Sequence, residues 1–279
     1  MKDDISTEQD RVVWQSPWPG GEAPAPRPSA HRYLLDVDPD LADELDVRMR
    51  LVARPAATAL TLSVDPGEID LSELLAAVGG GPGVLVVGGV LACHVHVGDR
   101  IAAELVGPGD LIQPSCHLAN DELVGCDLSW RSLTESRLAL LDDGFAQRVT
   151  PWPQITAVLL RRAAHRTRSL NVQRAITAQP RLEVRLALLL WHLAGRWGRV
   201  EPGGVRLGIP LTHQLLGKLI GAERPSVSNA LARLAQAGLV TGHGDEWHLH
   251  GSLDRQLASM IEPDRSHVRR LVADASPPR

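Results

Sequence analysis

LTHQLLGKLIGAERPSVSNALARLAQAG, residues 211–238, decides how the rest of the chain is read. It holds two helical stretches with a very short break between them. Thr212 stands where an N-cap hydroxyl is wanted, and Gly221 where a left-handed stop is wanted. The second stretch places Pro225 in its first turn, where a missing N–H costs nothing, and ends at Gly238. Val227, Ala230, Leu231 and Leu234 recur at helical spacing and are expected to pack inward. Arg224, Ser226, Ser228 and Asn229 crowd hydrogen-bonding groups onto the first turn and a half, more than packing alone would require.

The flanks complete a unit. RLEVRLALLLWHLAGRWG (181–198) carries a strongly apolar helical pattern, and VRLGIP (205–210) reads as a short strand. LVTGHGDEWHLHG (239–251) reads as two strands about a turn at His243 to Asp245. Helix, tight turn, helix and hairpin outline a winged helix-turn-helix. In such a unit the second helix enters the major groove N-terminus first. Arg224 can donate two parallel hydrogen bonds to guanine O6 and N7, Asn229 can pair with adenine, and Ser228 is short enough to reach a base edge. Ser226 suits a nearby phosphate or base edge, and the helix N-terminus itself favours an anion.

Charge is divided unevenly. The chain has 279 residues and a net charge of −4. Residues 1–150 contain 11 Lys/Arg against 24 Asp/Glu, a formal −13, whereas residues 151–279 contain 18 against 9, a formal +9. A basic half facing nucleic acid fits that asymmetry. No run of 18 apolar residues or signal-like N-terminus appears, so a cytoplasmic protein with no membrane partner is expected. The three cysteines, Cys93, Cys116 and Cys126, have no Cys-x-x-Cys spacing, so neither a disulfide framework nor a zinc ribbon is expected.

Residues 1–30 are rich in Pro, Gly and Ala and read as a disordered leader. From 31 to 150, short apolar runs such as TALTLSV, GVLVVGG and LACHVHV alternate with Gly, Pro and Asp turns. They predict an antiparallel β-roll, interrupted by a short helix at DLSELLAAVGGG. Residues 151–180 read as one long amphipathic helix with Ile155, Leu159, Leu170 and Ile176 as an apolar stripe, expected to pair with a second copy in a homodimer. The competing expectation packs that stripe on the helix's own domain. The winged unit spans 181–252, and 253–279 is expected to add a helical tail. The class is therefore α+β.

These residues resemble the cyclic-AMP receptor protein and fumarate–nitrate regulator family of bacterial transcription factors. The resemblance rests on Thr212, Gln214, Gly221, Arg224 and Val227 in the order the family uses. It implies that Thr212, Gln214 and Ser226 touch phosphates of double-stranded DNA, that Arg224 reads a guanine, and that the roll is cyclic-nucleotide-binding-like. RNA polymerase is then a further candidate partner. Two departures count. Pro225 and Asn229 stand where relatives reading the familiar palindrome carry Glu and Arg, so the operator is not carried over. Gln113-Pro114 and Cys126-Asp127 fall where the phosphate cassette wants Gly-Glu and Arg-Ser; Arg131-Ser132 is the nearest replacement. A cyclic nucleotide needs the carboxylate for its ribose and the arginine for its phosphate. The expected effector is an unknown small molecule or none, with no cofactor. Metal, haem or redox sensing through Cys93, His94, His96, Cys116 and His117 is the alternative within the family, although Cys93 and His94 must face opposite sides of a strand. Outside it, an adaptor reusing the winged helix remains. No nucleotide cradle, nucleophile elbow or zinc-protease motif occurs, so no enzyme is expected.

Overall fold

A computed structural model describes residues 23–114, 126–243, 245–258 and 260. Two antiparallel sheets form the N-terminal domain. The first runs β1 (Arg27–Tyr33), β2 (Thr58–Val64), β9 (Ser136–Leu141), β4 (Gly83–Gly88), β7 (Leu111–Ile112). The second runs β3 (Gly67–Ile69), β8 (Asp127–Ser132), β5 (Leu91–Val97), β6 (Arg100–Val106). Helices α1 (Leu34–Val37) and α2 (Val47–Ala56) join β1 to β2; α3 (Ser72–Ala76) precedes β4, and α4 (Asp143–Val149) follows β9.

Period-two alternation sorts side chains between layers. Leu91 and Cys93 of β5 turn inward with Val84, Val86, Trp130 and Leu138 to fill the space between the sheets. Leu85, Ala139 and Leu141 face the other way from the first sheet, under Leu35, Ala53 and Phe145. Val90, Ala92, Ala103 and Leu105 lie on the outer side of the second sheet and join the core of the C-terminal domain. The second sheet is thus buried on both faces.

Strand structure begins earlier than expected. The structure starts a strand at Arg27, paired with Ser63, rather than leaving residues up to Ala30 outside the fold. Proline masked it: β1 is an edge strand and its register slips between Pro28 and Ala30, a position where a missing N–H is tolerated.

The long helix α5 (Pro153–Thr177) is present, but the expected stripe does not stay free for a second copy. Ile155 and Leu159 are buried with Phe145 and Leu35 of the N-terminal domain. Ile176 is buried in the C-terminal core, and only Leu170, 40% exposed, remains outside. The physical reason is that α5 changes neighbours along its length, so positions on one arc meet different cores. The packing on its own chain is the outcome at three of the four positions.

The C-terminal domain comprises α6 (Leu182–Trp197), β10 (Gly198–Glu201), β11 (Gly204–Leu207), α7 (His213–Ile220), α8 (Arg224–Gln236), β12 (Val240–His243) and β13 (Glu246–His250). The strands form a wing sheet in the order β10-β11-β13-β12. Residues 253–258 and 260 are helical, and buried Gln256 fastens them to the wing: it accepts from Trp191 Nε1 and donates to the carbonyls of Leu239 and His250. The rest of the expected tail lies outside the described residues. Among the described residues no helix is long and apolar enough to cross a membrane.

Candidate nucleic-acid interface

Local chemistry sets the angle between α7 and α8. Thr212 Oγ1 accepts from Leu215 N at 3.1 Å, capping α7 as its sequence position requires. Gly221 closes that helix at φ 67°, and the Ala222 amide donates back to the Gly217 carbonyl at 2.9 Å. A Cβ at Gly217 would collide with the Ala222 carbonyl oxygen, so the close approach of the connection to α7 depends on glycine there.

The faces of α8 then separate. Val227, Ala230, Leu231 and Leu234 are buried with Leu215, Leu216 and Leu219 of α7. Arg224, Ser226 and Asn229 are exposed on α8, and Thr212 and Gln214 are exposed at the start of α7. Ser228 differs from its companions. It is half-buried, donates to the Arg224 carbonyl at 3.0 Å and meets His213 Nδ1 at 2.8 Å, so its hydroxyl links the two helices instead of turning out toward a base edge. Sequence reasoning missed His213; the Thr-His-Gln order at the α7 N-terminus gave no sign that its ring would reach across. Arg233 ties the far end of α8 to Glu183 of α6 at 2.5 Å.

The unit rests on the outer face of the second sheet, where Ala92 and Ala103 leave room for α7. Arg196 of α6 pairs at 2.6 Å with Asp110, whose other bond comes from the Gly107 amide at 2.8 Å. Arg166 of α5 pairs with Glu104, and Gln173 Nε2 donates both to Ala103 O at 2.7 Å and to Leu219 O at 2.9 Å, joining sheet to α7. Gly107 lies against the Trp197 indole, which a Cβ would approach to 2.7 Å. Arg100, at the β5–β6 hairpin, reaches Glu223 beside the start of α8 at 3.7 Å, with both groups well exposed.

The described residues of the two domains line two clefts between them. The larger, about 1100 Å³, brings Arg224 and Gln214 near Asp99, Arg100, Leu170 and Arg174. The smaller, about 430 Å³, is lined by Glu68, His94 and Arg131 from the roll and by Thr212, Gln214 and Lys218 from the winged unit. Arg131 bonds Glu68 at 2.8 Å and faces this cleft. It therefore does not supply the arginine that a phosphate cassette inside the roll requires. Cys93 lies in the roll interior and His94 on the opposite side of β5, so the two do not converge; Cys126 is exposed, and Cys116 and His117 lie outside the described residues.

His94 is 6% exposed and its Nε2 has no hydrogen-bond partner among the described residues. Burial, reinforced by the positive charges of Lys218, His96 and Arg131, lowers its pKa from 6.5 to about 4. The unfolded chain therefore binds a proton that the folded chain refuses. This group's stabilisation is complete above about pH 6.5 and is lost as the pH falls toward 4, by up to roughly 3 kcal/mol. Denaturant unfolding across that window should show the loss, and His94→Gln should flatten it; an equal slope in the variant would assign the acid sensitivity elsewhere.

Residues 184–250 match the model of the Crp-like helix-turn-helix domain. Over 114 residues the chain is 33% identical to the CRP-like cAMP-activated global transcriptional regulator of Mycobacterium tuberculosis, covering 40% of this chain and 51% of that protein. Over 146 residues it is 30% identical to the regulatory protein CysR of Synechococcus elongatus, covering 51% of this chain and 63% of that one. The chain thus spans between about half and under two thirds of the length of these relatives. A CooA variant from Carboxydothermus hydrogenoformans superposes with a TM-score of 0.55 at 14% identity, covering 82% of this chain and 95% of that chain. A cyclic nucleotide-binding domain containing protein from Listeria monocytogenes gives 0.54 at 16% identity, covering 68% and 88%. The fold is the one these structures share: an antiparallel sheet domain, a long helix and a C-terminal helix-turn-helix.

Proposed function

We propose that this chain, whose residues 184–250 form a Crp-like helix-turn-helix domain, is a sequence-specific DNA-binding transcriptional regulator that acts as a homodimer without control by cyclic AMP. The observation that carries the reading is the split character of α8: its inward face is wholly apolar and buried, while Arg224, Ser226 and Asn229 stand exposed on its first turn and a half. Arg224 and Asn229 are the base-reading residues, and Thr212, Gln214 and Ser226 hold phosphates. Ser228 belongs to the support of α8 through His213.

The Mycobacterium relative is cAMP-activated; this chain lacks, among its described residues, the groups that would hold the nucleotide. Gln113 and Pro114 lack the carboxylate a ribose hydroxyl needs, and Arg131 is turned outward onto Glu68. Selection of duplexes from a random pool, at two salt concentrations and with or without cyclic AMP, tests the reading. The expected product is a palindrome with half-sites about one helical turn, roughly 34 Å, apart, recovered regardless of cyclic AMP and weakened steeply by salt. Failure to enrich any sequence in all conditions would sink the DNA-binding reading.

The dimer seam is shifted from the stripe read in the sequence. Leu160 is 65% exposed and Leu170 40%, both outside the packing that buries Ile155, Leu159 and Ile176. The expected effect of Leu160→Asp with Leu170→Asp is a halved mass in light scattering, with an unchanged fold by circular dichroism. Retention of the parent mass would remove α5 as the seam.

A further inference from the structure

The 430 Å³ cleft between the second sheet and α7 holds polar groups that neither the fold nor the DNA reading uses. Lys218 is half-buried and makes no ion pair among the described residues; burial lowers its pKa, an effect Glu68 opposes and Arg131 adds to. Arg131 keeps a half-exposed side chain beyond its bond to Glu68. His94 lines the same space, more than nine-tenths buried and with its Nε2 unpartnered among the described residues. Two cations and one orphaned ring nitrogen face a single carboxylate, so the cleft carries net positive charge. A partly desolvated cation without a partner, as Lys218 is among the described residues, is unfavourable unless an anion completes it. The volume falls within the range of small-molecule sites.

We propose that this cleft is an effector site for a small molecule bearing a phosphate or carboxylate group, held between Lys218 of α7 and Arg131 of β8 beside the His94 ring. The two cations belong to different domains, so a bound oxyanion ties the winged unit to the roll. Thr212 and Gln214 line the same space, which places the effector next to groups assigned to DNA phosphates. The cleft is outside the roll interior, where Cys93 and Leu91 pack.

The test uses the full chain without DNA. Inorganic phosphate and, in a parallel arm, acetate are titrated at constant ionic strength maintained with chloride, while the His94 ring resonance, identified by its absence in His94→Gln, is followed by NMR. A saturable shift in either arm is expected, and the arm that saturates at lower concentration identifies the headgroup. Loss of a charge-assisted bond in Lys218→Gln should weaken binding by about tenfold or more, and Arg131→Gln should weaken it likewise. Glutamine is a good helix former, so α7 is retained, and an unchanged thermal midpoint of the free variant verifies this. No saturable shift with either anion, or equal affinity in both variants, overturns the site. Because DNA is absent, that failure leaves the DNA reading standing, whereas failure of the duplex selection leaves this titration intact.

Discussion

Replacing Arg196 with methionine is expected to destabilise the folded chain by about 3–5 kcal/mol. Asp110 has a side chain only 4% exposed, and its partners are the Arg196 guanidinium at 2.6 Å and the Gly107 amide at 2.8 Å. Methionine keeps much of the stem's packing but leaves a carboxylate in an apolar setting with one neutral donor. The loss therefore measures an uncompensated charge, not the net worth of the ion pair, and replacing both partners should restore most of it. Chemical denaturation of Arg196→Met and of Arg196→Met with Asp110→Asn makes the comparison. Since Arg196 ends α6 and Asp110 lies in the β6–β7 turn, the single variant should also split one transition into two as the domains lose their tie. A single transition displaced by less than about 1 kcal/mol would mean that water already reaches Asp110.

Arg224→Ala should cost about 1–3 kcal/mol in affinity for the selected operator, roughly 5- to 150-fold, and relax discrimination at one base position in each half-site. Arg224 is exposed, while the neighbouring Glu223 is the residue engaged by Arg100, so folding stability should be unchanged and the effect isolated to DNA. Arg224→Lys should recover little, since an ammonium cannot reproduce the two parallel donors. Thr212→Ala gives a less clean result because Thr212 also caps α7. Competitive titration against operators altered one position at a time reads both quantities. Uniform weakening across all operators would move Arg224 from base reading to phosphate holding.

The winged unit was legible because its signals are local: Thr212, Gly221, Pro225 and Gly238 fix helix ends through hydrogen bonds and dihedrals within a few residues. The inward set Val227, Ala230, Leu231 and Leu234 follows from the helical period alone. Ser228 did not, since its partner His213 sits on another helix and only the crossing of α7 and α8 brings them together. The stripe on α5 failed for a related reason. Periodicity gives the apolar arc but not its neighbour, and the neighbour changes from Phe145 near Ile155 to the C-terminal core near Ile176. Helix α2 left only a weak trace, with Val47, Leu51 and Val52 exposed and Pro55 inside it. The clefts between domains were invisible in the sequence because Arg131 and Lys218 are far apart in the chain and meet only through docking.

One sheet stands between the interior of the roll and the helix-turn-helix unit. β5 offers Leu91 and Cys93 to one side and Ala92 and His94 to the other. The partition separating the two compartments is thus a single sheet, whose residues alternate between its two faces. News of an event inside the roll has no long relay to run: a tilt of the β5–β6 pair is at once a movement of the floor on which α7 stands, and the two rooms share a wall.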